Sequence, residues 1–175
     1  MYLLKMRISQ IRDEENKERC LKMLEDNKDR FQEAPGSFSK HQAWKGGYID
    51  HLVETMNIAS SIYQSESQRF SRERSFPFLL SDVILVLFLH DLEKPFKYVE
   101  PKTHFASDSD KELFINNLID KYGIVLTSNQ KNALKYIHGE GDDFSPTERI
   151  SSPLAAFCHI CDTFSSRIWF DYPIK

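Results

Sequence analysis

The pair His90-Asp91 closes the most apolar stretch of the chain, Val83-Ile84-Leu85-Val86-Leu87-Phe88-Leu89. In a helix, a carboxylate at that end meets the negative pole of the helix dipole and a low-dielectric interior, and both are unfavourable. Something positive must compensate. Lys94, three residues beyond Asp91, is one candidate. A divalent cation is the other, since it gains from the dipole, the carboxylate and a neutral imidazole together. Taken alone, the dipeptide also reads as a buried His–Asp hydrogen bond with Lys94 as its surface partner. It is not alone. Asp50-His51 falls in a second helical stretch, with His51 on the side of Thr55 and Met56, and Asp162 falls in a third, among Phe157, Cys158 and Phe164. An aspartate inside a helix has poor propensity and carries a desolvation cost if it points inward. Two imidazoles and two carboxylates from three helices make a mixed nitrogen and oxygen donor set. Such a set suits Mn, Fe, Co, Ni, Mg or Zn, with positions left for water.

In order and in flanking residues the set resembles the HD domain, a superfamily of metal-dependent phosphohydrolases with the signature H…HD…D, here His51 … His90-Asp91 … Asp162. Residues 39–51 (SKHQAWKGGYIDH) resemble the family's KHHAxxGGLLEH lead-in, residues 88–94 (FLHDLEK) its LLHDxGK, and residues 157–162 (FCHICD) its closing xxHxAD. The match runs from Gly36 to Arg167, and its most specific piece is Gly46-Gly47 combined with the His-Asp pair. The resemblance implies His51, His90, Asp91 and Asp162 as ligands of one divalent ion, with Asp91 and Asp162 in reach of the attacking water. It implies Lys94 as the lysine that holds the phosphate or that water. Glu93 departs from the pattern, because relatives carry glycine or another small residue there, and the departure bears on the angle of Lys94. Two-metal relatives need several more histidines, whereas only His138, and less plausibly His104 or His159, stand near those positions here. One metal is therefore expected, with His138 contacting phosphate or giving a proton to the leaving oxygen. A histidine capping the end of its helix is the competing reading for His138. In the lead-in, His41 is expected at the rim of the site or as a loop stabiliser, and Lys40 or Lys45 is expected to bind a second phosphate. His159 shares a helix face with Asp162 and is expected to support the site or to be buried structure.

Positioning these groups takes an all-α fold, a bundle of about six helices with the metal site between them. The spacing predicts a first helix over residues 10–31 capped by Ser9, with a sparse apolar stripe of Ile11, Leu21, Leu24 and Phe31. A second over 48–64 carries Leu52, Met56, Ala59 and Tyr63 at helical spacing, and residues 64–75 read as a linker or frayed end. Ser81 or Asp82 caps a central helix that runs through His90-Asp91 until Pro95 closes it. Residues 96–106 read as a loop or short hairpin. Ser109 with Glu112 predicts a capping box for a helix ending at Tyr122, with Gly123 beyond it. Ser128 starts another helix to about His138, and Ser152-Pro153 start the last. The last helix has the stripe Leu154, Phe157, Cys158, Cys161, Phe164 and Ile168, which assigns Cys158 and Cys161 to core packing rather than to zinc. The expected organisation is one domain over residues 1–175, with an HD core at 36–167 and an N-terminal extension at 1–35.

The 175 residues suffice for one core burying roughly 70% of the surface the unfolded chain exposes. Twenty-six acidic against 23 basic residues leave a net charge of −3, so no basic excess advertises duplex DNA as a partner. Six glycines argue against a glycine-looped nucleotide fold, and three cysteines form no disulfide framework. The first 17 residues lack the apolar run of a secretory signal, and the seven-residue run at 83–89 falls short of the ~20 needed to span a membrane. A cytoplasmic protein without membrane contact is expected. Its expected activity is hydrolysis of a phosphate mono- or diester, in a nucleotide or short oligonucleotide, by attack of a metal-bound water. The flanking motifs are closest to the HD domain of bacterial 3′-to-5′ exoribonucleases, in which an OB-fold precedes the HD domain. Here only the helix predicted over 10–31 precedes the lead-in, which favours a small phosphorylated molecule over processive binding of single-stranded nucleic acid. A module that senses a nucleotide without hydrolysing it is the alternative from a different class.

Overall fold

The computed structural model describes residues 1–69 and 75–168, and all their regular structure is helical. Six helices of nine residues or more correspond to the six expected: α2 (Glu14–Asp26), α4 (Gly47–Arg69), α5 (Leu80–Leu89), α7 (Asp108–Tyr122), α8 (Ser128–Tyr136) and α9 (Pro153–Ile168). Three short ones join them: α1 (Tyr2–Ile8), α3 (Lys28–Glu33) and α6 (Lys94–Tyr98). No helix among the described residues is long and apolar enough to cross a membrane.

The expected first helix, over residues 10–31, is two, α2 and α3, and α1 lies ahead of it. Ser9 ends α1 instead of starting a long helix, with its backbone N–H bonded to Lys5 O. Asp13 caps α2 by accepting from the Asn16 N–H at 2.8 Å, and Asn27 breaks α2 from α3. The second helix runs on to Arg69, past the boundary expected near Gln64. Residues 70–74 of the expected linker lie outside the described residues.

α5 is the centre of the bundle. Val83 through Leu89 are all buried, none more than 1% exposed. Burying one such side chain stabilises the fold by about 1.5–3 kcal/mol, so this run anchors whatever its end carries. Asp82 supports its start by accepting from the Leu79 N–H at 2.9 Å, while the Ser81 hydroxyl accepts from the Arg12 N–H instead. The helix stops at Leu89, and His90 through Glu93 form a turn. Pro95 does not close this helix. It lies in the first turn of α6, where a missing N–H costs nothing.

α9 packs against α4, α8 and α5, and α4 packs against α5. Its cap is as expected, with Ser152 Oγ accepting from the Ala155 N–H at 3.2 Å. Its stripe is shorter than expected, because Leu154, Phe157, Cys158 and Cys161 are buried whereas Phe164 and Ile168 are exposed. Burial pushes the Cys161 thiol up to about 12, as befits a core residue. The capping boxes of α7 and α8 are Ser107 with Asp110 and Thr127 with Gln130, each one or two residues before the expected Ser109 and Ser128. Gly123 ends α7 in the left-handed conformation (φ 70°).

Candidate metal centre

Three elements deliver the four expected ligands to one place. His51 lies in the second turn of α4, His90 and Asp91 follow the last residue of α5, and Asp162 lies on the α9 face turned toward them. His51 Nε2 is 3.1 Å from Asp162 Oδ1 and 3.5 Å from Asp91 Oδ2. His90 Nε2 is 3.1 Å from Asp91 Oδ2 and 3.6 Å from Asp162 Oδ1. All four residues are buried. Donor atoms of His51, His90 and Asp162 lie within 4.8 Å of one another, as do those of His90, Asp91 and His138, so both groups are positioned to hold a metal ion.

Each imidazole is gripped from behind through Nδ1. His90 Nδ1–H donates to Leu87 O at 2.8 Å, one turn back on α5. His51 Nδ1 is 3.0 Å from Ser165 Oγ, whose own proton goes to Glu54 Oε2 at 2.7 Å, so the ring nitrogen is the donor. When neutral, both rings therefore turn an Nε2 lone pair toward the centre. His51 Nε2 and His90 Nε2 are buried without a hydrogen-bond partner. Buried polar atoms are nearly always satisfied, and two nitrogen lone pairs facing carboxylate oxygens are satisfied by a cation.

The electrostatics agree. Burial disfavours the charged form of His90, but the Asp91 and Asp162 carboxylates overcome it and hold the imidazole up at about 10. Burial works against the two carboxylates as well, yet the histidines around them, with Lys94 for Asp91, keep both well below the usual carboxylate range. Lys94 is no surface partner. Its side chain is mostly buried, with Nζ 2.5 Å from Asp91 Oδ2. Glu93 is buried, and desolvation, followed by the charge of Asp91, pushes it up to about 7. Its presence in place of a small residue leaves the Lys94–Asp91 pair intact.

His138 stands at the mouth, with a side chain 59% exposed and Nε2 3.7 Å from Asp91 Oδ1 and 3.9 Å from Asp162 Oδ2. It follows Ile137, the C-cap of α8, and Gly139 turns the chain directly after it at φ 103°. His159 holds this stretch by donating from Nδ1 to Ile137 O at 2.6 Å. His41 faces the same centre, its ring 4.9 Å from that of His51, and burial followed by the positive charge of Lys94 lowers it to about 4. Lys40 and Lys45 are not gathered in. Lys45 Nζ lies 2.6 Å from Glu33, and Lys40 is exposed on the lead-in loop. His104 is exposed as well.

The Gly46-Gly47 pair has a local cause. Gly46 takes φ 81°, and a Cβ on Gly47 would sit 1.9 Å from Gln42 O. That close approach lets the loop fold over Gln42, which is itself left-handed (φ 42°) and buried. Sequence reasoning missed Gln42, Glu54 and Ser165. The only available signal was spacing: Glu54 lies three residues after His51, and Ser165 three after Asp162, so each shares a helix face with a ligand.

No protein-family model and no solved structure matches the chain. Among curated proteins it is similar to the dihydroneopterin 2',3'-cyclic phosphate phosphodiesterase of Methanocaldococcus jannaschii, at 23% identity over 174 residues. The alignment covers 91% of this chain, which spans 66% of the length of that relative.

Proposed function

We propose that the chain is a metal-dependent phosphodiesterase of the HD type, with residues 36–167 as its HD core and 1–35 as an extension. The observation that carries the reading is the buried convergence of two Nε2 lone pairs with the carboxylates of Asp91 and Asp162, with Lys94 and His138 beside it. The similarity to a phosphodiesterase supports the diester over the monoester. The substrate class that fits is a small phosphate diester, either a nucleotide or short oligonucleotide or, by analogy with that relative, a cyclic phosphate of a small heterocyclic compound.

A divalent ion held by His51, His90, Asp91 and Asp162 supplies Lewis acidity toward a phosphoryl oxygen and acidifies a water at neutral pH. The chain's own groups do the rest. In this reading the Asp91 or Asp162 carboxylate would accept the proton of the attacking water. Lys94 brings a fixed positive charge to the equatorial phosphoryl oxygens, where charge builds in the transition state. His138, half open to solvent at the mouth, would in this reading contact the phosphate or give a proton to the leaving oxygen. His41 would line the site beside His51.

The test is turnover of bis-p-nitrophenyl phosphate and p-nitrophenyl phosphate with Mn, Ni, Co, Zn and Mg, followed by 2′,3′-cyclic nucleotides and single-stranded oligonucleotides. Diester turnover that is lost in His90→Ala and Asp91→Ala, with helicity retained, is the expected result. Metal binding without turnover of any ester overturns the enzyme and leaves a sensing module. Stepwise shortening of oligonucleotides in preference to small diesters selects an exoribonuclease.

A further inference from the structure

We infer that Glu54 is a positioning residue that sets the proton-bearing nitrogen of two histidines at once, His51 through Ser165 and His41 through Gln42; the inference rests on the metal-site reading proposed above. Hydrogen-bond bookkeeping leads there. Glu54 Oε2 takes two bonds, from Gln42 Nε2 at 2.6 Å and from Ser165 Oγ at 2.7 Å. A carboxylate accepts only, so both partners must present protons to it. Having spent its one proton, Ser165 Oγ can only accept further bonds, and it takes them from Gln42 Nε2 at 3.2 Å and from His51 Nδ1 at 3.0 Å. The Gln42 nitrogen must therefore face Glu54, which fixes the orientation of an amide that is otherwise ambiguous by half a turn. Its Oε1 must face His41, and it accepts from His41 Nδ1 at 2.7 Å.

The Gln42 N–H that reaches Glu54 also comes within reach of Ser165 Oγ, and the serine spends its single proton on the carboxylate. No other assignment satisfies the whole set. Glu54 on α4, Gln42 on the lead-in loop and Ser165 on α9 thus lock three elements together. They also turn the Nε2 of His51 toward the ligand cluster and leave the Nε2 of neutral His41, at the rim, as an acceptor. An Nε2 acceptor there suits a substrate hydroxyl.

The test uses full-length Glu54→Gln and Ser165→Ala proteins, with side-chain nitrogen NMR of the histidines and zinc affinity by chelator competition. In the wild type, His41 should carry its proton on Nδ1. Glu54→Gln, which offers a donor as readily as an acceptor, should mix the His41 tautomers and weaken zinc binding by about 10- to 100-fold. Ser165→Ala should weaken zinc binding similarly while leaving His41 on Nδ1, because the Gln42–Glu54 bond survives. Folded Glu54→Gln protein that keeps the His41 tautomer, or that binds zinc within about twofold of wild type, overturns the inference. A wild-type protein that binds no divalent ion overturns the metal-site reading instead, and the His41 tautomer still reads out the role of Glu54 toward Gln42.

Discussion

Metal and proton compete for one atom, and the competition can be measured. His90 Nδ1 is committed to Leu87 O, so any second proton goes on Nε2, which is also the nitrogen that would bind a cation. With the carboxylates beside it, the metal-free imidazole is held up at about 10. At pH 7 that is about three units above the solution, so displacing the proton costs about 4 kcal/mol and lowers apparent metal affinity about a thousandfold. The sign follows directly: affinity is weakest at low pH and climbs about tenfold per unit until pH reaches the His90 value. The cleanest window is pH 7.5 to 8.5. Asp91 and Asp162 are already ionised there, Lys94 is held above its ordinary value, and Glu93, near 7, is largely deprotonated. Titration of zinc by calorimetry in buffers of different ionisation enthalpy should therefore show about one proton released per ion, and chelator competition should show the tenfold rise. Affinity that is flat across this window, with no proton released, would refute the assignment of His90 Nε2 as a ligand.

Lys94→Ala should retain the ion but lose turnover by about 100-fold or more, read as kcat at saturating metal, because the lost charge acts on the transition state. Glu93→Gln should stabilise the metal-free protein above pH 7. Glu93 is raised from 4.5 to about 7, so the wild type loses stability as pH rises through that range, by about 3 kcal/mol at most, and the amide does not. Urea unfolding at pH 5 and pH 8 checks this, and equal differences at both would sink it. Gly47→Ala should destabilise by roughly 3 kcal/mol and release the lead-in loop, since the added carbon meets the Gln42 carbonyl at 1.9 Å, and thermal unfolding with proteolysis near residue 42 reads it out. Leu87→Ala, in the fully buried run of α5, should cost about 2–5 kcal/mol by the same unfolding measurement.

The helices that proved legible were those whose burial leaves a pattern. The run 83–89 is apolar on every side because it is surrounded, and Leu52, Met56 and Ala59 repeat at helical spacing because one face of α4 is covered. Boundaries were less legible, because several polar residues competed for each cap. Ser107 won over Ser109 because Asp110 could return the bond to its backbone, and Thr127 won over Ser128 because Gln130 could do the same. The N-terminal segment was misread for a related reason. Asp13 and Asn27 each offered a local side-chain bond that interrupts a helix, while the sparse apolar residues ran on in a consistent pattern. At the site, the four side chains that converge were legible from residue type and order. The network behind them was not, because glutamine, glutamate and serine acquire their roles only from three-dimensional contacts.

Burying two carboxylates at the end of the most apolar helix is costly unless their charge is answered, and the answer changes with occupancy. In the metal-free state the Lys94 ammonium and a protonated His90 balance Asp91 and Asp162, which explains how the bundle can fold around this cluster at neutral pH. When a divalent ion replaces the His90 proton, the same four groups and the ion carry one net positive charge. In the proposed reading, loading would therefore turn a neutral cluster into one that attracts a phosphodiester, whose own charge is single and negative. Glu93 would temper this: near neutrality it is divided between its two forms, and a cation held beside the Asp91 charge it already senses would favour its ionised form. A glycine at that position would leave the positive charge whole. The departure from the HD pattern at residue 93 thus weakens anion binding at high pH more than at low. The Glu93→Gln variant should accordingly show a lower KM for a diester at pH 8, with the difference shrinking only as pH falls well below neutrality, and a KM ratio that never shrinks on acidification would rule out this role for the buried carboxyl.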